Sequence, residues 1–102
     1  MADCGSIGDA EMAYEAGSDI LSTTLSGYTG EREKTAGPDL ELLRQMVEQF
    51  DRPLLCEGRV HTRDQARSAL DAGAWSVVVG TGITHPRTIT SGFVQALETG
   101  KE

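Results

Sequence analysis

Only two cysteines, Cys4 and Cys56, occur in these 102 residues, and they lie far apart with no CxxC spacing. That scarcity excludes a disulfide-built scaffold and a cysteine metal knuckle, and it fits a reduced compartment. No apolar run approaches the ~18 residues that a membrane-spanning helix needs. No basic stretch followed by an apolar one opens the chain, so no signal peptide is expected and a cytoplasmic location is. Positive charge is scarce too: nine Lys and Arg stand against sixteen Asp and Glu, a net charge of −7. That balance argues against nucleic acid or an anionic membrane as a partner. It leaves room for a local anion pocket built from a few groups. What is present, 38% hydrophobic and 25% charged residues, describes a globular chain rather than a disordered one. No linker, low-complexity segment or second domain is visible, so residues 1–102 are read as one domain.

Helix and strand signals alternate. Ile7, Ala10, Ala13 and Tyr14 fall at helical spacing and Gly17 closes the segment. "SDILSTTL" reads as a short strand, and "SGYTGEREKTAG" as a polar loop long enough to be functional. Pro38 opens a helix whose apolar face is Leu40, Leu43, Met46, Val47 and Phe50. "PLLCEG" is the next strand. Thr62 and Gln65 form a capping box before a helix with Ala66, Ala69 and Leu70 on one face, closed by Gly73. "WSVVVG" is a continuous apolar strand of the kind buried on both faces of a parallel sheet. A last helix carries Ile89, Phe93 and Leu97.

This order predicts an α/β fold with parallel strands and right-handed crossovers. "EAGSDILSTT" at 15–24 echoes "DAGAWSVVVG" at 71–80, as repeated βα units would. Four units are present, the first strand reduced to the tail "MADC". A complete (β/α)8 barrel needs about 200 residues or more. The chain therefore reads as four βα units of such a barrel, a half-barrel with a truncated first strand, or as a small open sheet. A half-barrel has an inner face lined by residues such as Leu21 and Leu55 or their strand neighbours.

In parallel barrels, functional groups gather where strands end. Four such ends are legible: Asp3, Thr23 to Tyr28, Glu57 to Arg59, and Gly80 to Thr84. Glu57 has two readings. It pairs with Arg59 or another cation of the rim, or it is a general acid or base with Gly58 leaving room for a ligand. "GTGIT" is a glycine-rich turn whose backbone N–H groups could approach a phosphate closely. Cys56 and Cys4 alternate away from that rim and are expected in the core. His61 and His85 lack partner spacing for a metal or a triad; His61 reads as surface or capping. Trp75 and Tyr14 read as packing residues, and "EREK" at 31–34 as a solvated loop.

"MADC", "STTLSGYT", "PDLELLRQMV", "CEGRVHT" and "SVVVGTGITHP", in this order and spacing, resemble the second half of bacterial N-acetylmannosamine-6-phosphate 2-epimerases. The resemblance implies a (β/α)8 barrel isomerase of amino sugar and sialic acid catabolism. It implies interconversion of N-acetylmannosamine 6-phosphate and N-acetylglucosamine 6-phosphate by removal and return of the C2 proton, without metal or other cofactor. It assigns the catalytic glutamate to Glu57 and sugar contact to Asp3. Thr24, Ser26, Tyr28, Arg59 and His85 join Asp3 as candidate substrate contacts, and Gly58, Gly80, Thr81 and Gly82 as the phosphate-binding turns.

Two departures stand out. The family's catalytic lysine lies on an early strand, and the only lysines here are Lys34, in a loop, and Lys101, at the tail. The family's usual "AIT.P" with arginine before the proline is here "GITHP", so Gly82 and His85 replace alanine and arginine. Met1 coincides with an internal methionine of the family, as in a fragment or an open reading frame started late. An isolated chain of this kind is expected to be inactive, and to self-associate or pair with an N-terminal half-barrel. Its small-molecule partner is a sugar phosphate. The alternatives are a non-catalytic half-barrel that binds sugar phosphate, and another phosphate-binding barrel enzyme.

Overall fold

Ser6, Asp39 and Thr62 each stand one residue before a helix and satisfy the backbone donors its first turn leaves open. The Ser6 hydroxyl accepts from Asp9 N at 3.2 Å, and the Asp39 carboxylate from Leu42 N at 3.0 Å. The Thr62 hydroxyl accepts from Gln65 N at 3.1 Å while the Gln65 side chain accepts from Thr62 N, the expected capping box. These caps start α1 (Ile7–Glu15), α2 (Leu40–Gln49) and α3 (Arg63–Asp71). Between them run β1 (Ala2–Asp3), β2 (Leu21–Ser22), β3 (Leu54–Glu57) and β4 (Ser76–Val78), followed by α4 (Thr81–Thr84) and α5 (Pro86–Thr99). The computed structural model describes residues 1–99. Lys101 lies outside the described residues.

All three strand pairings are parallel and the sheet order is β1-β2-β3-β4, the order of the sequence. A doubly wound sheet would reverse direction at a switch point. Here each crossover advances the same way, as in the wall of a barrel.

Parallel register sorts the side chains into two faces. Ala2, Leu21 and Leu54 lie abreast, as do Cys56 and Val77. Leu21, Leu54 and Cys56 meet Ala10 of α1, Leu42, Leu43 and Met46 of α2 and Ala69 of α3 in one core. Both cysteines are buried in it, as expected, and burial pushes both thiols above their ordinary pKa. The other face carries Asp3, Ser22, Leu55 and Ser76 abreast, then Glu57 beside Val78. Leu55 thus belongs to the inner face. Leu21 does not; it points to the helices and is fully buried.

Four expectations of packing need correction. Leu42 joins the buried face of α2, which is wider than its periodicity suggests because α2 packs on α1, α3 and β3 together. Leu70 is exposed although it shares a helical face with buried Ala69. β4, one of the sheet's two edge strands, is not buried on both sides: Ser76 and Val78 are exposed. Trp75 just before it is 77% exposed rather than packed. The reason lies in α5, which packs mainly on α4 instead of covering β4, and its Phe93 and Leu97 are exposed as well.

Candidate functional site

Glu57 ends β3, and the chain then turns sharply. Gly58 has φ +114° and Arg59 φ +58°, two successive residues on the left-handed side. For arginine this conformation costs roughly 1–3 kcal/mol and needs compensation. The guanidinium supplies it. Nε donates to Gly37 O at 3.1 Å, Nη1 to Ser26 O at 2.9 Å and Nη2 to Thr35 Oγ1 at 3.3 Å. It also stands over the Tyr28 ring, 5.3 Å from its centroid. Arg59 therefore ties the long β2–α2 loop to the end of β3 and does not pair with Glu57.

That loop has a second anchor. The Ser26 hydroxyl donates to buried Asp39, and Arg32 grips the same carboxylate through Nε at 2.7 Å and Nη2 at 3.2 Å. Burial pushes the Asp39 carboxyl up, but the hydrogen bonds from Arg32, Ser26 and Leu42 N outweigh it and hold its pKa below the ordinary value. The "EREK" stretch is accordingly not all solvated, since Arg32 is one of these anchors. Gly27 permits a close backbone approach within the loop, because a Cβ there would stand 2.8 Å from Lys34 Cα. Lys34 Nζ sits 4.8 Å from the Tyr28 ring centroid. The Arg59 guanidinium, with Lys34 adding its charge, lowers the Tyr28 phenol below its usual pKa.

Glu57 itself is half-buried and held by two neighbours from the end of β2. Thr23 Oγ1 donates to Glu57 O and accepts from Glu57 N, each at 3.2 Å. Thr24 Oγ1 donates to the carboxylate at 3.1 Å from Oε1. Beyond β4, α4 leans on the β3–α3 turn so closely that a Cβ on Gly82 would stand 2.9 Å from Val60 O. At Gly80, by contrast, a Cβ would meet only open space.

Between these pieces lies a cleft of about 260 Å³. Thr24 and Tyr28 wall it from the β2 loop, Glu57 to His61 from the end of β3, and Val78 with Gly80 to Gly82 from the end of β4. The structure thus brings together Thr24, Tyr28, Glu57, Gly58, Arg59, Gly80, Thr81 and Gly82. It leaves three others outside this cleft. Asp3 is exposed at the end of β1, abreast of Ser22. Ser26 is buried behind the loop with its hydroxyl on Asp39. His85 is exposed past α4, where its Nδ1 meets the backbone N and hydroxyl of Thr88 in the first turn of α5. His61 is exposed and its N–H donates to the capping Gln65 side chain at 2.7 Å, as expected of a surface or capping residue, and it also lines the cleft. The one available signal was its place two residues after Arg59. Among the described residues, no cluster of three or more His, Cys, Asp or Glu side chains is arranged to hold a metal.

A singly wound parallel sheet with a polar cleft at the carboxyl ends of its strands is the architecture of a (β/α) barrel wall, and this chain forms a part of such a barrel. Comparison with known proteins specifies which barrel. Residues 1–99 match the family model described as "Putative N-acetylmannosamine-6-phosphate epimerase", and the chain belongs to that family. A Cutibacterium acnes protein named "Putative N-acetylmannosamine-6-phosphate 2-epimerase" is 59% identical over 99 residues, covering 95% of this chain and 43% of the relative. One of the same name from Clostridium perfringens is 42% identical over 98 residues, covering 96% and 44%. The solved N-acetylmannosamine-6-phosphate 2-epimerase of Clostridium perfringens superposes with a TM-score of 0.89 at 42% identity, over 93% of this chain and 42% of that one. A chain of the Amycolatopsis orientalis BexX/CysO complex, 19% identical with a TM-score of 0.61, shares the fold alone. The chain spans less than half the length of the curated relatives it matches.

Proposed function

We propose that these residues form the glutamate-bearing half of a site that interconverts N-acetylmannosamine 6-phosphate and N-acetylglucosamine 6-phosphate. The observation that carries this reading is the Glu57 carboxylate, held by Thr24 at the mouth of β3 and facing a cleft edged by glycine turns. In the open-chain sugar, the C2 hydrogen is acidified by the neighbouring aldehyde. Glu57 takes that proton as a base or returns one as an acid, and a second group on the opposite face of C2 does the converse. The resemblance assigns the second group to a lysine of the first half of the barrel. Fixed contacts to the sugar and phosphate supply the orientation. The open space at Gly80 and the backbone of the Gly58 and Gly80 to Gly82 turns suit the phosphate. Arg59 serves this site by holding its wall; its bonds to Ser26, Thr35 and Gly37 support that role.

Asp3 and His85 reach the sugar only if the completed barrel extends the cleft across the inner face. No described helix is long and apolar enough to cross a membrane, and we place the protein in the cytoplasm. The exposed edge strand β4 and its neighbour Trp75 support pairing with further βα units, in a second half-barrel or another copy. The test is exchange of the C2 proton with deuterated water in the complete barrel. Glu57→Gln should abolish exchange and leave sugar-phosphate binding measurable. Near-normal exchange in that variant removes Glu57 from the mechanism.

A further inference from the structure

We propose that Thr24, backed by Ser22, is a positioning residue that fixes which oxygen of Glu57 handles the proton; this rests on the epimerase reading above. Thr24 Oγ1 donates to Glu57 Oε1 at 3.1 Å. Thr24 Oγ1 is also in a short hydrogen bond with Ser22 Oγ, and Thr24 N donates to Ser22 Oγ at 3.2 Å. A hydroxyl has one proton to give. With the Thr24 proton committed to Glu57, the Ser22 hydroxyl must donate to Thr24, and its own oxygen accepts the Thr24 N–H. The direction of the whole chain follows, from Ser22 through Thr24 to the carboxylate. Ser22 is fully buried, so water does not compete for its hydroxyl.

The consequence is chemical. Oε1 accepts a hydrogen bond whether Glu57 is a carboxylate or carries a proton on Oε2. The carboxyl group therefore need not rotate between taking the C2 proton and returning it, and Oε2 is the atom left for the sugar. Thr23 grips the main chain of the same residue from both its N–H and its C=O. Two adjacent threonines at the end of β2 thus fix the backbone and the carboxylate of the residue at the end of β3. Such preorganisation acts on the reacting geometry rather than on substrate binding.

The test compares Thr24→Val, Thr24→Ser, Ser22→Ala and Glu57→Gln in the complete barrel containing these residues, by steady-state epimerisation and C2 deuterium exchange. Thr24→Val should lower kcat about 10- to 100-fold, the loss that follows deletion of a hydrogen bond to a charged group. KM should stay within about threefold of the wild-type value, because uniform binding is untouched. Thr24→Ser, which keeps the hydroxyl, should regain most of the rate. Ser22→Ala should lower kcat in the same direction and by less; it also carries the test alone if Thr24→Val does not fold. Unchanged kcat in Thr24→Val overturns the proposal. So does a raised KM with normal kcat, which would make Thr24 a substrate contact. Equal losses in Thr24→Val and Thr24→Ser overturn it too, because the hydroxyl would then be irrelevant. Retained exchange in Glu57→Gln is a different failure: it defeats the assignment of Glu57 itself, whatever Thr24 does.

Discussion

Replacing Arg32 by methionine removes a guanidinium from a buried carboxylate while keeping much of the side chain's apolar length. Asp39 is 4% exposed and accepts from Arg32, Ser26 and Leu42 N. In Arg32→Met the Ser26 and Leu42 donors remain and the charge loses its counter-ion. A fully buried pair broken this way costs about 3–5 kcal/mol. The Arg32 side chain is 24% exposed, so water screens part of the interaction. The expected loss is therefore nearer that of hydrogen bonds to a charged group, about 1.5–3 kcal/mol. For a domain of this size, each kcal/mol moves Tm by about 4–8 °C. The sign with pH follows from the direction of the Asp39 shift. Its folded pKa lies below its unfolded one, so its stabilisation is present above the unfolded pKa and is lost as pH falls through the folded value. Urea or thermal unfolding of wild type and variant should differ most near neutral pH and converge only as the pH falls through the depressed folded-state pKa of Asp39, below which the carboxyl is protonated in both. A difference that is absent at pH 7, or constant from pH 7 to acid, would refute the assignment of Arg32 and Asp39 as the loop's anchor.

Three further outcomes are expected. Calorimetry should show binding of N-acetylmannosamine 6-phosphate to the complete barrel and little binding of the unphosphorylated sugar; equal affinities would remove the glycine turns from phosphate recognition. Gly82→Ala should destabilise the α4 contact by about 1–3 kcal/mol, because the new Cβ meets a backbone carbonyl that must shift; an unchanged Tm would show that α4 yields freely. The purified 102-residue chain should self-associate and be inactive as an epimerase. Exposed Trp75, Phe93 and Leu97 supply the apolar surface, at about 25 cal/mol per Å² removed from water. Light scattering should rise with concentration as Trp75 fluorescence shifts to the blue, and a dilution-independent monomer with family-level activity would refute both expectations.

Much of the fold was legible because it is written in local rules. Thr62 and Gln65 announce a helix start by side-chain chemistry that acts over three residues. Gly17 and Gly73 announce helix ends, and both adopt positive φ. The strand ends were legible for a similar reason: apolar runs stop where polar residues and glycine begin. Glu57, Gly58 and Gly80 could therefore be placed at one rim before any contact was known. Trp75 and "WSVVVG" were misread because an apolar run reports what a strand can bury, not whether something covers it. Leu21 and Leu55 were misplaced relative to each other because the face a strand residue takes depends on pairing register.

The sequence by itself determined the alternation of βα units, the caps, the membership of the family and the carboxylate at the end of β3. Each follows from residues within a few positions of one another, or from a motif preserved in order. Only the tertiary structure decided who holds that carboxylate. Glu57 and Arg59 are two residues apart and of opposite charge, so their sequence invites an ion pair. The left-handed turn at Arg59 sends the guanidinium to Ser26, Thr35 and Gly37 instead, and leaves Glu57 to Thr24. Thr24 and Glu57 are 33 positions apart. Parallel pairing of β2 with β3 brings them within hydrogen-bond reach, and that proximity is a property of register, which no local pattern encodes.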